Sequence, residues 1–225
     1  MKKLVSKFTA FTAVVLIVVT ASVYLAKADN KAIAVVMKTI GSVQAKHDAG
    51  WASVARAGKL YSGDQVQTKK DGYAAVMFID DKSLVKIKPN SILKIQGTTE
   101  GKSISKQLVM DVGELFVKVS KQKGSFQVAT PTSVASVKGT EFWVSESDGS
   151  TSVISLEGVI ELVNKASGQS VQVTAGQTGI STKGGKLNTE ATKEGAIPNA
   201  GELTEEIIIK FKDADGNSKE VRIKY

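Results

Sequence analysis

The sequence predicts an all-β fold, a compact sandwich or a short β-solenoid-like stack of twisted sheets, preceded by one apolar export or anchor helix. Three observations carry this expectation. Apolar and polar residues alternate along most of the chain, the pattern of strands with one buried and one wet face. The strand-like segments are short and recur roughly every 8–12 residues between turn residues, with almost no helical period. Finally, residues 8–26 form an uncharged, largely apolar run directly behind Lys2, Lys3 and Lys7.

That first run reads as an export signal. Ala26-Lys27-Ala28 supplies small residues at the two positions a signal peptidase reads. At 19 residues the run is also just long enough to span a bilayer. Residues 1–28 are therefore a signal peptide cleaved near Ala28 or an uncleaved anchor, and only in the second case do residues 8–26 hold the chain in the inner membrane. In both cases the positive N-terminal flank places the bulk of the chain outside the cytoplasm, in the periplasm.

The chain has 225 residues, 42% of them apolar, enough for one sizeable core but short for two full domains. It contains no cysteine, which excludes a disulfide framework and a cysteine-ligated metal. Of the formal charge of +8, four lysines fall in residues 1–28, leaving a mild +4 for the remainder. The remaining lysines are scattered among acids, so nucleic acid is not an expected partner. The surplus favours solubility and attraction to anionic envelope polymers.

Taken in order, residues 29–34 are a polar lead and 35–43 the first strand-like segment. His47-Asp48-Ala49-Gly50 reads as a turn into Trp51-Ala52-Ser53-Val54, and residues 58–64 are loop-like. Residues 66–68 and 73–79 read as strands, the second so continuously apolar that it belongs in the middle of a sheet. Asp80-Asp81 turns the chain into 83–88, Pro89-Asn90 breaks it, 91–96 follows, and 97–106 is a polar excursion. Residues 108–144 organise the rest. Leu108, Met110 and Val112 alternate up to Gly113, after which Leu115, Val117 and Val119 take over. Glycines inside such patterns, here Gly113 and Gly139, mark a bulge, a bend or a close backbone approach. Segments 152–156, 159–163 and 171–174 complete the pattern. Residues 183–206 turn polar and glycine-rich, a linker with room for one weak helical turn over 189–194. Residues 207–225 form a C-terminal β-hairpin, with Ile207, Ile209 and Phe211 on one face, answered by Val221, Ile223 and Tyr225. An isolated hairpin is marginal in water, so this one must dock in cis or add to another chain's sheet edge.

Several short motifs also carry a resemblance. Gly113-Glu114-Leu115-Phe116-Val117, Phe126-Gln127-Val128 leading into Thr130-Pro131, and Gly139-Thr140-Glu141-Phe142 resemble the core signature of the FecR domain family. These are extracytoplasmic all-β domains first met in regulators of iron uptake. The likeness continues upstream through Gly41-Ser42-Val43, Trp51, Gly58-Lys59-Leu60, Gly63-Asp64, Thr68 and Asp80. Downstream it includes Glu157-Gly158-Val159 and Ala175-Gly176-Gln177, so that it covers about residues 36–182. One departure is local: Asp81-Lys82-Ser83 stands where the family usually has Asp-Gly-Ser, which leaves the turn type there open. In the family's best-known members a cytoplasmic anti-sigma segment precedes the membrane span, and the outer domain receives a signal from a transporter. Only seven residues precede the apolar run here, too few to fold into a sigma-binding domain. What the resemblance then implies is a partner-binding domain in the cell envelope.

No residue cluster calls for catalysis or a cofactor. His47, the only histidine, is expected as a solvated turn residue, since Asp48 beside it cannot orient it and no Gly-x-Ser-x-Gly elbow occurs. One histidine without cysteine cannot supply the usual zinc ligands. Asp213, Asp215 and Asn217 look like the start of a calcium loop, but the glycine comes one place early and the flanks read as strands. A hairpin turn needs the same residue types. Trp51, Trp143, Tyr61 and Tyr73 could form a stacking surface for envelope glycan, though aromatics in a β-domain are expected mainly in the core. The expected function is thus a non-catalytic domain that contacts another envelope protein, through Ile207, Ile209 and Phe211 of the hairpin. The alternative is a cell-wall or surface polysaccharide module that uses Trp51 and Trp143.

Overall fold

The computed structural model describes residues 31–47, 50–121 and 124–199, and the backbone of 206–212 and 218–224. The export segment, the turn holding Asp213, Asp215 and Asn217, and the side chains of Ile207, Ile209 and Phe211 lie outside the described residues. Among those residues all regular structure is β, and no helix is long and apolar enough to cross a membrane.

Two ladders share one strand. The first consists of β1 (Ala34–Ile40), β4 (Lys59–Leu60), β6 (Tyr73–Phe78), β7 (Leu84–Ile87), β9 (Ser103–Lys118), β12 (Glu141–Ser147), β13 (Ser150–Glu157), β16 (Gln177–Thr182) and β17 (Leu187–Ala191). Its order is β4-β1-β6-β7-β9-β12-β13-β16-β17. The second adds β2 (Val43–His47), β3 (Gly50–Ser53), β5 (Gln65–Thr68), β8 (Ile92–Glu100), β10 (Phe126–Ala129), β11 (Ser133–Val137), β14 (Val159–Asn164) and β15 (Ser170–Thr174). Its order is β3-β2-β5-β8-β9-β10-β11-β14-β15, all antiparallel except the β9–β10 pair.

The shared strand is β9, whose two halves belong to different ladders. Residues up to Val112 pair with β8 and β10, and those from Gly113 onward pair with β7 and β12. The hydrophobic parity changes at the same point: Ile104, Leu108 and Met110 are buried before it, Leu115 and Val117 after it. Gly113 takes φ +118° there, a conformation natural only to glycine. Val112, which the alternation places inward, is 41% exposed because it sits on the bend itself.

The inner faces of both ladders contribute to one core. Val76, Phe78, Leu115, Phe142 and Val153 come from the first, and Val66, Leu93, Leu108, Phe126 and Leu162 from the second. Phe78 and Phe126 meet edge to face across the two ladders with ring centroids 5.9 Å apart. A buried ion group closes one side. Lys106 Nζ lies 2.8 Å from Asp80 Oδ2 and 3.0 Å from Asp81 Oδ2, and 5.2 Å from the Phe78 ring centroid.

Two expectations are corrected. Residues 97–106 are no polar excursion but the tip of the β8–β9 hairpin, where Thr98, Thr99 and Ile104 favour the extended backbone. Within the expected linker, residues 187–191 form β17 against β16 rather than a helical turn. Edge pairing supplies the order that the weak apolar pattern of 187–191 concealed. β18 (Glu206–Lys212) and β19 (Ser218–Lys224) pair as a separate two-stranded sheet, with Ile207 opposite Ile223 and Ile209 opposite Val221.

Candidate functional site

Three surface features stand out on this scaffold. The first surrounds His47, at the end of β2. Its Nδ1 lies 2.6 Å from Oδ1 of Asp64, whose Oδ2 accepts the Tyr61 backbone N–H at 2.9 Å. The Tyr61 ring is 5.0 Å from the imidazole. Asp64 is 4% exposed and His47 44%, so a buried carboxylate orients a half-open imidazole. Lys59 and Ser53 also line this cleft, whose volume is about 270 Å³. The expectation of a histidine without an orienting carboxylate is corrected: the partner is Asp64, 17 positions on and across the β2–β5 pairing.

On the same hairpin Trp51 is 40% exposed, so it is a surface residue and not a core one. Trp143 is the opposite case. It is 2% exposed, tilted at 59° against Phe116 with ring centroids 5.2 Å apart and packed with Ile154, which removes it from any glycan-stacking surface. Tyr61 and Tyr73 are both half-buried.

The second feature is the face of the first ladder that carries Phe116 and Trp143, opposite the core. Lys86 Nζ stands 5.0 Å above the Phe116 ring and Lys88 Nζ 6.0 Å from that of Trp143. Lys88 also donates to the Asn199 carbonyl at 3.0 Å, which ties residues after β17 back to β7. Burial lowers the Lys86 pKa, opposed by the nearby Glu141 and reinforced by Lys118 and Lys88. Burial raises that of Glu114, opposed by Lys88.

The third feature lies at the bend. A cleft of about 310 Å³ is walled by Asp111 and Val112 of β9, Pro131 and Thr132 between β10 and β11, Glu146 to Gly149 at the β12–β13 turn, and Lys183. Glu146 sits directly opposite Gly113 in the β9–β12 register, so the bend sets where its carboxylate points. Its Oε2 accepts the Thr151 hydroxyl and, at 3.4 Å, that of Thr132. The chain of hydroxyls continues from Thr151 to Thr130 at 2.6 Å, and Lys165 Nζ donates to the Thr130 carbonyl. No sequence motif announced this network; Thr130-Pro131 was legible only as part of the family signature. Among the described residues, no group of three or more His, Asp or Glu side chains is placed to hold a metal ion.

Comparison with known proteins agrees with the motif reading. Residues 64–161 match the family model described as FecR protein, a stretch that runs from the residue before β5 to the middle of β14. Two solved structures are similar to the chain, both crystal structures of a "putative anti-sigma factor" from Parabacteroides distasonis ATCC 8503. One, at 2.50 Å resolution, shares 18% identity over 56% of this chain and 59% of its own, with a TM-score of 0.48. The other, at 1.65 Å, shares 17% over 68% of this chain and 70% of its own, with a TM-score of 0.49. The chain thus spans 59% of the first of these structures. No curated protein matches it.

Proposed function

We propose, from the FecR match over residues 64–161, that this chain is a non-catalytic extracytoplasmic domain that mediates protein–protein interaction or envelope sensing. What supports the reading is how the matched motifs are used. Gly113 makes the bend, Phe142 fills the core, and Thr68 Oγ1 donates to the Lys88 carbonyl at 2.6 Å while accepting from the Ser91 N–H at 3.0 Å. The signature therefore builds a scaffold, and recognition falls to the surfaces that scaffold displays. The export run at 8–26 and the amphipathic C-terminal hairpin fit a periplasmic domain that meets another envelope protein, with Ile207, Ile209 and Phe211 as the contact. The test is a crosslinking pull-down from intact envelopes, with a sample lacking residues 207–225 in parallel. A specific protein captured by the full chain and lost on deletion is the expected result. Capture of wall polymer alone, or of nothing, rejects it.

One observation favours a second reading, a polysaccharide-binding module: Trp51 is exposed beside the His47 cleft. Exposed aromatics stack on sugar faces, and Trp51→Ala would then abolish retention on insoluble peptidoglycan without changing the fold.

A further inference from the structure

We propose that residues 192–199 form a releasable strap that covers, in cis, an apolar row on the outer face of the first ladder. Five residues stand directly opposite one another across that face: Thr178 of β16, Ile154 of β13, Trp143 of β12, Phe116 of β9 and Lys86 of β7. Their chain neighbours Val153, Val144, Leu115 and Val85 belong to the core, so this row points away from it. The outer face of an antiparallel sheet ordinarily meets water. Here Ile154 is 8% exposed, Trp143 2%, Phe116 5% and Lys86 9%, so something lies over them.

Residues 192–199 are placed to be that cover. The segment leaves the end of β17, the outermost strand of the ladder, and turns back over β16, where Thr192 Oγ1 lies 3.0 Å from Thr178 Oγ1. At the other end the Asn199 carbonyl accepts from Lys88 Nζ at 3.0 Å. Lys88 is one residue past β7 and by parity on the same face as Lys86. Four strand spacings separate β16 from β7, about 19 Å, and the seven steps from Thr192 to Asn199 reach at most about 25 Å. A turn in which the Ala196 N–H donates to the Lys193 carbonyl at 3.0 Å takes up the slack. Between its two ties the segment therefore passes over Ile154, Trp143 and Phe116. The hold is slight. Residues 193–197 are exposed, so the strap buries little apolar surface of its own, and the hydrogen bonds at its ends can be exchanged for bonds to water. The hairpin begins at Glu206, seven positions after Asn199. A partner that holds the hairpin and prefers the bared row would shift the strap open by that difference in affinity, a step that rests on the interaction reading above.

Trp51→Phe leaves Trp143 as the sole tryptophan, and acrylamide quenching of its fluorescence in the full chain reads the cover directly. Quenching should be weak in this parent. It should rise several-fold, with a red-shifted emission, when residues 193–198 are replaced by a Gly-Ser segment of equal length. Lys88→Met keeps the stem beside the Trp143 ring but loses the bond to Asn199, so it should raise quenching in part, whereas Lys88→Arg should not. That pair serves if the replaced segment prevents folding. Removal of residues 207–225 should leave quenching weak. These measurements need no partner, so a failed pull-down leaves the strap standing, and a failed strap leaves the interaction reading standing. The proposal is overturned if Trp143 stays protected both in the Gly-Ser chain and in Lys88→Met. It is equally overturned if loss of residues 207–225 alone bares Trp143, which would make the hairpin the cover.

Discussion

Replacing Gly113 by alanine tests whether the β9 bend holds both ladders together. An alanine Cβ at this position would lie 2.5 Å from Ser91 Cα and closer still to its Cβ and Oγ. Carbon atoms pack at about 3.5–4.0 Å, so β8 would have to retreat by an ångström or more. Ser91 cannot move alone, since its Oγ accepts the Glu114 N–H at 3.0 Å and its N–H is held by Thr68. The conformation adds a separate cost: φ +118° is strained for any residue with a Cβ, by about 1–3 kcal/mol. Overpacking of a fitted interior costs roughly another 1–3 kcal/mol. Together these give about 2–6 kcal/mol, a large share of the roughly 5–15 kcal/mol that a domain has in hand. For a chain of this size that is about 4–24 °C in Tm. Urea unfolding followed by far-UV circular dichroism measures the loss. A companion Ser91→Gly change removes two of the three close atoms and should restore part of it, leaving the backbone strain. A loss below about 1 kcal/mol would refute the reasoning, because it would mean that the bend relaxes without disturbing either ladder.

Three further outcomes follow from individual side chains. Lys82→Gly should stabilise the chain by about 0.5–1 kcal/mol in thermal unfolding, because Lys82 occupies φ +64° in the turn where the family usually has glycine. Lys106→Met should cost about 3–5 kcal/mol by leaving Asp80 and Asp81 buried without their cation. Adding Asp80→Asn and Asp81→Asn should recover much of that loss, and a single variant as stable as the parent would show that the group is unimportant. Glu114 has a folded pKa above its ordinary 4.5, so the folded chain holds its proton longer than the unfolded one. Stability from this residue is present below the unfolded pKa and is lost as pH rises through the folded value. Glu114→Gln should flatten that part of the pH–stability profile, and an unchanged profile would remove the assignment.

Much of the fold was legible because strand alternation reports directly which face of a strand is buried. The change of parity from Leu108 and Met110 to Leu115 and Val117, with Gly113 between them, encodes the passage of β9 from one ladder to the other. Where alternation weakens, legibility ends. Residues 97–106 and 187–191 carry one large apolar residue each, Ile104 and Leu187, too few to set an alternation, and they become strands through backbone pairing. The turn at Asp81-Lys82-Ser83 shows the converse case. Its conformation stays left-handed although the residue best suited to it is missing, held by Asp81, which accepts the Ser83 N–H and hydroxyl at 2.9 and 2.8 Å.

The site residues were less legible, for a reason that separates the two clefts. His47 could be seen as the sole histidine, but its partner Asp64, the residue before β5, comes to lie beside it only when β5 pairs with β2. Glu146 was one acid among 22. On its strand Phe142 and Val144 face the core, and by parity so does Glu146. A carboxylate at an inward position is the one local signal of a site here. Reading it needs the end of β12, the neighbouring Gly113 and the threonines of two other strands at once. The parity is local, whereas its consequence depends on which strands the bend brings together. Scaffold and site therefore meet at Gly113, and a change there should disturb both stability and the Glu146 cleft, whereas Glu146→Gln should disturb only the cleft.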